Sequence, residues 1–127
     1  MSYSNVYFEI QADEIDGAIE FYTKVFGWVF SKAEGTPIPY WRIDTGAARG
    51  GLLQRPAKRP PADCGTNAFC CSFEVKDFDE TRELILIQSG TVAMPKFPVV
   101  GTCWQGYFLD PDGNVFGIFQ VDENAGK

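Results

Sequence analysis

Two short segments of the chain occur twice at nearly the same spacing. Phe8-Glu9-Ile10 returns as Phe73-Glu74-Val75, and Gly51-Leu52-Leu53-Gln54 returns as Gly117-Ile118-Phe119-Gln120. Glu74 follows Glu9 by 65 positions, and Gly117 follows Gly51 by 66. Because two chance matches at nearly one spacing are improbable, the sequence predicts a duplicated structural unit. The 127 residues are a usual length for one domain, so we expect both copies within a single domain.

Hydrophobic periodicity predicts the same order of elements in both copies: a strand, a helix and then further strands. The first copy has expected strands at 6–10, 28–30, 40–43 and 50–54, and the second at 69–75, 91–93, 104–109 and 115–121. Between the copies lies a proline-rich stretch that reads as an exposed linker. Module one is therefore placed at about 4–55, the linker at about 56–66 and module two at about 67–123.

Each expected helix has recognisable start and stop signals. Asp13 or Asp16 can cap the first helix, and Gly27 is expected to end it. Asp77, with Glu80 three residues later, fits a capping box at the start of the second helix. Gly90 is expected to end that helix.

Charge and cysteine content narrow the possible partners and location. The net charge is −6 and the pI is near 4.5, and so acidic a surface repels nucleic-acid phosphates and anionic lipid. The sequence shows no signal peptide and no apolar stretch long enough to span a bilayer, so we expect a cytoplasmic protein. No CxxC pair and no histidine accompany the cysteines, which we expect to be reduced: Cys64, Cys70, Cys71 and Cys103.

Further motifs complete an ordered pattern. Phe21-Tyr22 leads to Val25-Phe26-Gly27-Trp28, Gly50-Gly51 follows, and the turn Asp110-Pro111-Asp112-Gly113-Asn114 precedes Phe116-Gly117. Together with the Phe8-Glu9-Ile10 strand, this set resembles the vicinal oxygen chelate superfamily, also called the glyoxalase/bleomycin resistance/dioxygenase superfamily. The resemblance covers almost the whole chain.

The resemblance implies an α+β fold of two βαβββ modules, with curled mixed sheets around a common cleft. It also implies frequent pairing into homodimers. Family members include metal-dependent isomerases, dioxygenases and lyases, and also metal-free proteins that bind and sequester drugs. The fold alone therefore does not fix the function.

The metal site typical of the family lacks its ligands in this sequence. Family enzymes usually carry a histidine on the first strand of each module and a carboxylate on the last, which suits iron, zinc, nickel or manganese. The chain has no histidine, and strand parity places the corresponding early positions near Asn5 or Tyr7 and near Cys70. The late positions correspond to Gly51 and Gly117. We therefore expect no conventional metal site and no other cofactor.

Glu9 and Glu74 are expected to face the cleft, because alternate residues of a strand point to the same side. Three interpretations stay open for them. They are buried carboxylates paired with Arg42 or with backbone and hydroxyl donors, or ligands of Mg²⁺ or Mn²⁺, or a general acid or base whose pKa is raised by burial.

The other cleft candidates are mainly aromatic residues, which suit a flat or partly apolar ligand. Core packing is the alternative interpretation for each ring. The two glycines among the candidates either relieve a close backbone approach or enlarge the cleft. The expected ligand-binding residues are Tyr7, Tyr40, Trp41, Gly51, Ser72, Trp104, Tyr107, Gly117 and Phe119.

The sequence favours one function and leaves others open. The favoured one is binding of a small organic molecule in an aromatic-lined cleft without a conventional metal site. A metal-independent lyase, isomerase or epimerase that uses Glu9 or Glu74 as acid or base is the second. A metal-dependent glyoxalase or dioxygenase is the third, and a structural or interaction role is the last. The expected partners are a small organic ligand and a second copy of the chain.

Overall fold

The computed structural model describes residues 7–56, 58 and 70–127. The chain divides into two compact units, 1–59 and 60–127. Most of the predicted linker lies outside the described residues, as do Asn5, Cys64 and the predicted start of a strand at Phe69. Neither helix of the described residues is long and apolar enough to cross a membrane.

The first unit is one helix and a four-stranded mixed sheet. Its elements are β1 Phe8–Ala12, α1 Ile15–Phe26, β2 Val29–Lys32, β3 Tyr40–Asp44 and β4 Arg49–Gln54. The strand order is β1-β4-β3-β2, with β1 parallel to β4 and the other pairs antiparallel.

The second unit repeats this arrangement. Its elements are β5 Ser72–Glu74, α2 Phe78–Ile87, β6 Thr91–Val99, β7 Cys103–Leu109 and β8 Val115–Val121. The strand order is β5-β8-β7-β6, and only the β5–β8 pair is parallel. The predicted α+β class and the two βαβββ modules are confirmed.

Helix ends agree with the sequence signals only in part. Glu14 occupies the cap position of α1 and makes no side-chain capping bond, so neither Asp13 nor Asp16 is the cap residue, although Asp16 lies in the first turn. Gly27 ends α1 in the left-handed conformation at φ 72°, which glycine adopts without strain.

The second helix begins as predicted and ends earlier. The Asp77 carboxylate accepts a hydrogen bond from the Glu80 backbone N–H at 3.0 Å. The helix ends at Ile87, before the expected Gly90. Ser89 takes the positive φ of 74°, while the Gly90 N–H still donates to the Ile85 carbonyl at 2.8 Å.

In the first unit, aromatic packing joins the helix to one face of the sheet. The rings of Tyr22 and Trp28 stack with centroids 5.0 Å apart, and Phe8 lies 5.6 Å from Trp28. Ile43 and Leu52 are buried on the same face of the sheet as Phe8. This face is therefore the core of the unit.

Phe78 of α2 anchors the core of the second unit. Its fully buried ring lies 6.1 Å from Phe108, and its backbone N–H donates to the Gln120 side chain at 2.7 Å. Strand β6 is longer than predicted. Its prolines and register shifts do not end the strand, because β6 is the outer strand of the sheet and an outer strand tolerates missing hydrogen bonds on its free side.

The two units differ in the register of their parallel strand pair. Glu9 lies opposite Gly51, but Ser72 lies opposite Gly117 and Glu74 opposite Phe119. The expected superposition of Glu9 on Glu74 together with Gly51 on Gly117 was therefore wrong by two residues. A two-residue step preserves the face to which a side chain points, so both glutamates still share a face with the glycine of their own sheet.

Candidate functional site

The sheet of the first unit has a second face, which points away from its aromatic core. Glu9, Gly51 and Arg42 are cross-strand neighbours on this side, while Phe8 and Leu52 point to the core side. We call this side of the sheet the first glycine face. It comprises Glu9, Gly51 and Arg42, together with the hydroxyl groups of Tyr40 and Tyr7.

Tyr40 covers Gly51 and links two other polar side chains. A Cβ atom placed on Gly51 would overlap the Tyr40 hydroxyl and ring. The Tyr40 hydroxyl donates to Glu9 Oε2 at 2.8 Å and lies 2.6 Å from the Tyr7 hydroxyl. Since a hydroxyl carries one hydrogen, Tyr40 must accept from Tyr7. The result is a chain of donors that runs from Tyr7 through Tyr40 to the Glu9 carboxylate.

The environment of Tyr40 favours the neutral phenol. Burial, then the hydrogen bonds to Tyr7 and Glu9 and the charge of Glu9, raise the pKa of Tyr40 well above its ordinary value. Burial disfavours the phenolate because it removes water, and the carboxylate disfavours it by repulsion. Tyr40 is therefore a hydrogen-bond donor at neutral pH.

We expect this shift to be visible in an alkaline titration of tyrosine absorbance. The wild-type protein should contain a phenol that ionises above the ordinary value of about 10, and Tyr40→Phe should remove that phenol. Because the folded pKa exceeds the unfolded one, the stabilisation is complete below about pH 10 and is lost as the pH rises further. Loss of a phenol with an ordinary pKa in Tyr40→Phe would contradict the assignment.

The second unit has a corresponding face around Gly117. Ser72 and Tyr107 are the cross-strand neighbours of Gly117. A Cβ atom at this glycine would overlap Ser72 Oγ and press on Gln105 Nε2 and the Tyr107 ring. Gln105 Nε2 donates to Ser72 Oγ at 3.1 Å. We call this side of the sheet the second glycine face. It comprises Ser72, Gln105, Tyr107 and Gly117, together with the rings of Phe97 and Phe119.

Aromatic rings extend the second glycine face. Phe97 stacks on Tyr107 with centroids 6.3 Å apart, and Phe119 is the cross-strand partner of both Glu74 and Gln105. Gln105 and Phe97 were not among the expected ligand-binding residues. The signal for Gln105 was present, because a polar residue that alternates with Tyr107 in an otherwise apolar strand shares its face.

The two expected tryptophans lie on the other side of their sheets. Trp41 pairs with Leu52 on the core face, and Lys32 Nζ lies 5.7 Å from its ring centroid. Trp104 pairs with Gln120, its indole N–H donates to Asp122 at 3.0 Å, and Lys96 lies over its ring at 4.8 Å. Strand alternation therefore places both rings on the opposite face from the glycines, and their expected role in ligand binding stays a prediction.

The two glutamates are less buried than expected. Glu9 and Glu74 are exposed, and so is Arg42. Among the described residues, Glu9 has a hydrogen bond from Tyr40, whereas the Glu74 side chain makes no hydrogen bond or ion pair. The expected burial and the pairing with Arg42 were therefore wrong, whereas the expected hydroxyl donor is present at Glu9. Glu9 is the better-positioned of the two for acid–base chemistry.

The donor set does not fit the metal that the family usually binds. Gly51 and Gly117 have no side chains, and the Tyr40 hydroxyl and the Ser72–Gln105 pair fill the space beside them. Within residues 7–56, 58 and 70–127, no three histidine, cysteine, aspartate or glutamate side chains are grouped to hold a metal ion. Phenol, hydroxyl and amide groups are weak ligands compared with imidazole and carboxylate.

Comparison with solved structures identifies the fold. A glyoxalase/bleomycin resistance protein/dioxygenase family enzyme from Burkholderia phytofirmans PsJN is 23% identical with a TM-score of 0.70, covering 91% of this chain and 97% of that one. A glyoxylase/bleomycin resistance protein/dioxygenase domain from Frankia sp. EAN1pec is 16% identical with a TM-score of 0.77, covering 96% and 95%.

A third similar structure holds a metal ion. It is a mutant of a fosfomycin resistance protein from Listeria monocytogenes, complexed with manganese(II) and dihydroxypropylphosphonic acid. It is 15% identical with a TM-score of 0.72, covering 93% of this chain and 90% of that one. No curated protein matches the chain. Identities this low support the fold and not a shared ligand.

A match to a protein-family model identifies the superfamily of the chain. The model of the glyoxalase/bleomycin resistance protein/dioxygenase superfamily matches residues 5–118, which is most of the chain. The match includes the whole first sheet, the second sheet as far as Ile118 in β8, and both Gly51 and Gly117. The chain therefore belongs to the glyoxalase/bleomycin resistance protein/dioxygenase superfamily.

Proposed function

We propose that the protein binds a small organic molecule against its glycine faces, without a conventional metal site. The supporting observation is that hydrogen-bonding side chains cover a glycine in each of the two sheets. The family resemblance implies a carboxylate at both glycine positions. These side chains, with the rings of Tyr7, Phe97 and Tyr107, supply the mixture of apolar area and fixed polar groups found in ligand sites.

A thermal-shift screen tests the proposal. A library of aromatic and drug-like small molecules is added to the metal-stripped protein, and we expect at least one compound to raise Tm in a concentration-dependent way. A ligand that binds only the folded state stabilises it by mass action. The proposal fails if compounds raise Tm only after a divalent metal has been restored.

A metal-independent lyase or isomerase is a second candidate, which the Tyr40–Glu9 contact favours. A carboxylate held by a phenol can accept a proton from an acidic C–H bond and return it at another carbon. If this reaction occurs, Glu9→Gln should reduce turnover of the hit compound by about 10²-fold or more. A pure binding protein would lose affinity at most, so product analysis by NMR distinguishes the two functions.

We expect purified, untagged protein to lack a tightly held transition metal. The sequence has no histidine, and phenol and amide groups stand beside Gly51 and Gly117. Elemental analysis after gel filtration should therefore find iron, zinc, nickel and manganese well below one atom per chain. A near-stoichiometric content of any of them would show that residues outside the two glycine faces supply ligands.

We also propose that the protein pairs into a homodimer, as the family resemblance implies. Light scattering of the gel-filtered protein at micromolar concentration should give twice the chain mass of 14.1 kDa. A mass of one chain under these conditions would contradict this proposal without affecting the ligand-binding one.

A further inference from the structure

The Glu9 carboxylate has no cationic partner among the described residues. The ion pairs found there join Lys24 to Glu20, Arg55 to Asp13, Arg82 to Glu83 and Lys96 to Asp79. Glu9 is exposed, and within the part of the chain that the structure describes its side chain has only the hydrogen bond from Tyr40. A carboxylate that solvent can reach, and that no protein cation neutralises, is available to a positively charged ligand.

The direction of the hydrogen bonds leaves only acceptor atoms available to a ligand in the network of Tyr7, Tyr40 and Glu9. Tyr40 donates to Glu9 Oε2, and Tyr7 donates to Tyr40. The half-exposed Tyr7 has thus used its only hydrogen, while its oxygen retains lone pairs. The other carboxylate oxygen of Glu9 is also an acceptor. A ligand group that forms hydrogen bonds with these two atoms must therefore be a hydrogen-bond donor.

Two further properties favour a charged donor over a neutral one. The hydroxyl groups of Tyr7 and Tyr40 belong to the same hydrogen-bond network as the carboxylate, and aromatic rings attract cations. The protein carries a net charge of −6, which concentrates cations near its surface. An ammonium group combines several N–H donors with a positive charge, so it satisfies both requirements.

We propose that the first glycine face binds the ammonium group of a small organic amine, held by Glu9 and by the hydroxyl and ring of Tyr7. This inference rests on the proposed ligand-binding function and specifies the ligand class for that site. Arg42 lies across Gly51 from Glu9, two strand spacings or about 10 Å away. It therefore provides a control position of opposite charge on the same face.

Tyramine and tyrosol are suitable probes, because they share a phenol ring and differ in an ammonium or a hydroxyl group. Both are titrated into the full-length chain at low salt while amide NMR shifts are recorded. We expect tyramine to bind about fivefold more tightly, since exposed ion pairs and exposed cation–π contacts are each weak. Added salt should reduce the difference.

Two variants assign this preference to a residue. Glu9→Gln should abolish the preference for tyramine, and Arg42→Gln should retain or increase it. Both positions are exposed, so the amide spectra of the variants should show the native fold. A preference that persists in Glu9→Gln would overturn the inference, because it would reflect the overall charge of the protein. A preference that Arg42→Gln also loses would overturn it as well, because the loss would then not be specific to the Glu9 carboxylate.

The result also separates this inference from the function on which it rests. Equal binding of the two probes, with shifts at the first glycine face, would overturn the ammonium inference and leave the binding function standing. If neither probe shifts residues of this face, the inference is likewise overturned, and the library screen still decides the broader function.

Discussion

Phe78→Ala is expected to lower the free energy of unfolding by about 3–5 kcal/mol, as for other fully buried phenylalanines. The ring is completely buried and packs against Phe108. Its edge also fills the space beside Gly106, where a Cβ atom would come within 2.6 Å of it. Truncation removes these contacts and leaves a cavity that a β-sheet and its helix cannot close. Chemical denaturation followed by fluorescence measures the loss.

Phe97→Ala is the matched control for this prediction. Phe97 is the same residue type in the same unit, but it is only partly buried and stacks on Tyr107 at the second glycine face. We expect a clearly smaller loss of stability and a weaker affinity for a library ligand that contacts this face. An equal loss of stability in the two variants would show that the second glycine face is also core.

Gly51→Trp is expected to reduce ligand affinity by about 100-fold or more at the first glycine face. The new side chain must occupy the position of the Tyr40 hydroxyl, so it fills the face and breaks the donor chain to Glu9. Because the nearest atoms belong to the end of the Tyr40 side chain, that side chain can swing away. We therefore expect a stability loss of only about 1–3 kcal/mol, and isothermal titration with a library hit measures the affinity.

The neighbouring glycine provides the contrast. Gly50 points to the core face, where an added Cβ would meet both the ring and the backbone carbonyl of Phe8, at 2.6 and 2.7 Å. A backbone atom in a strand pair cannot move aside, so Gly50→Ala should destabilise the fold while leaving the affinity per folded molecule unchanged. The assignment of the two faces would be contradicted if Gly50→Ala impaired binding and Gly51→Trp did not.

Local signals in the sequence predicted much of the architecture. The turn at Asp110 is an example: its carboxylate accepts hydrogen bonds from the backbone N–H groups of Asp112 and Asn114, both at 2.9 Å. Gly113 takes the positive φ of 81°. An aspartate side chain can accept hydrogen bonds from nearby backbone N–H groups, and glycine can adopt a positive φ, in any local context. This turn could therefore be predicted without tertiary information. The capping of α2 by Asp77 was predictable for the same reason.

Properties that depend on strand register could not be predicted from local sequence signals. Glu9 lies opposite Gly51 and Glu74 opposite Phe119, because the two equivalent parallel strand pairs differ in register. The sequence contains no local sign of this difference. The tryptophans illustrate the related problem of face. Trp41 alternates with Tyr40, so only one of the two rings can lie beside Gly51.

The most direct test of the central claim is to locate a bound ligand on the sheets by amide NMR, using a hit from the metal-free screen. We expect the largest shifts at residues of the glycine faces, with Gly51 or Gly117 among them, and we expect Gly51→Trp or Gly117→Trp to remove these shifts. Core-side residues such as Ile43 and Phe116 should shift little. Shifts concentrated on the core side, or unchanged in both glycine variants, would contradict the claim that these faces bind the ligand.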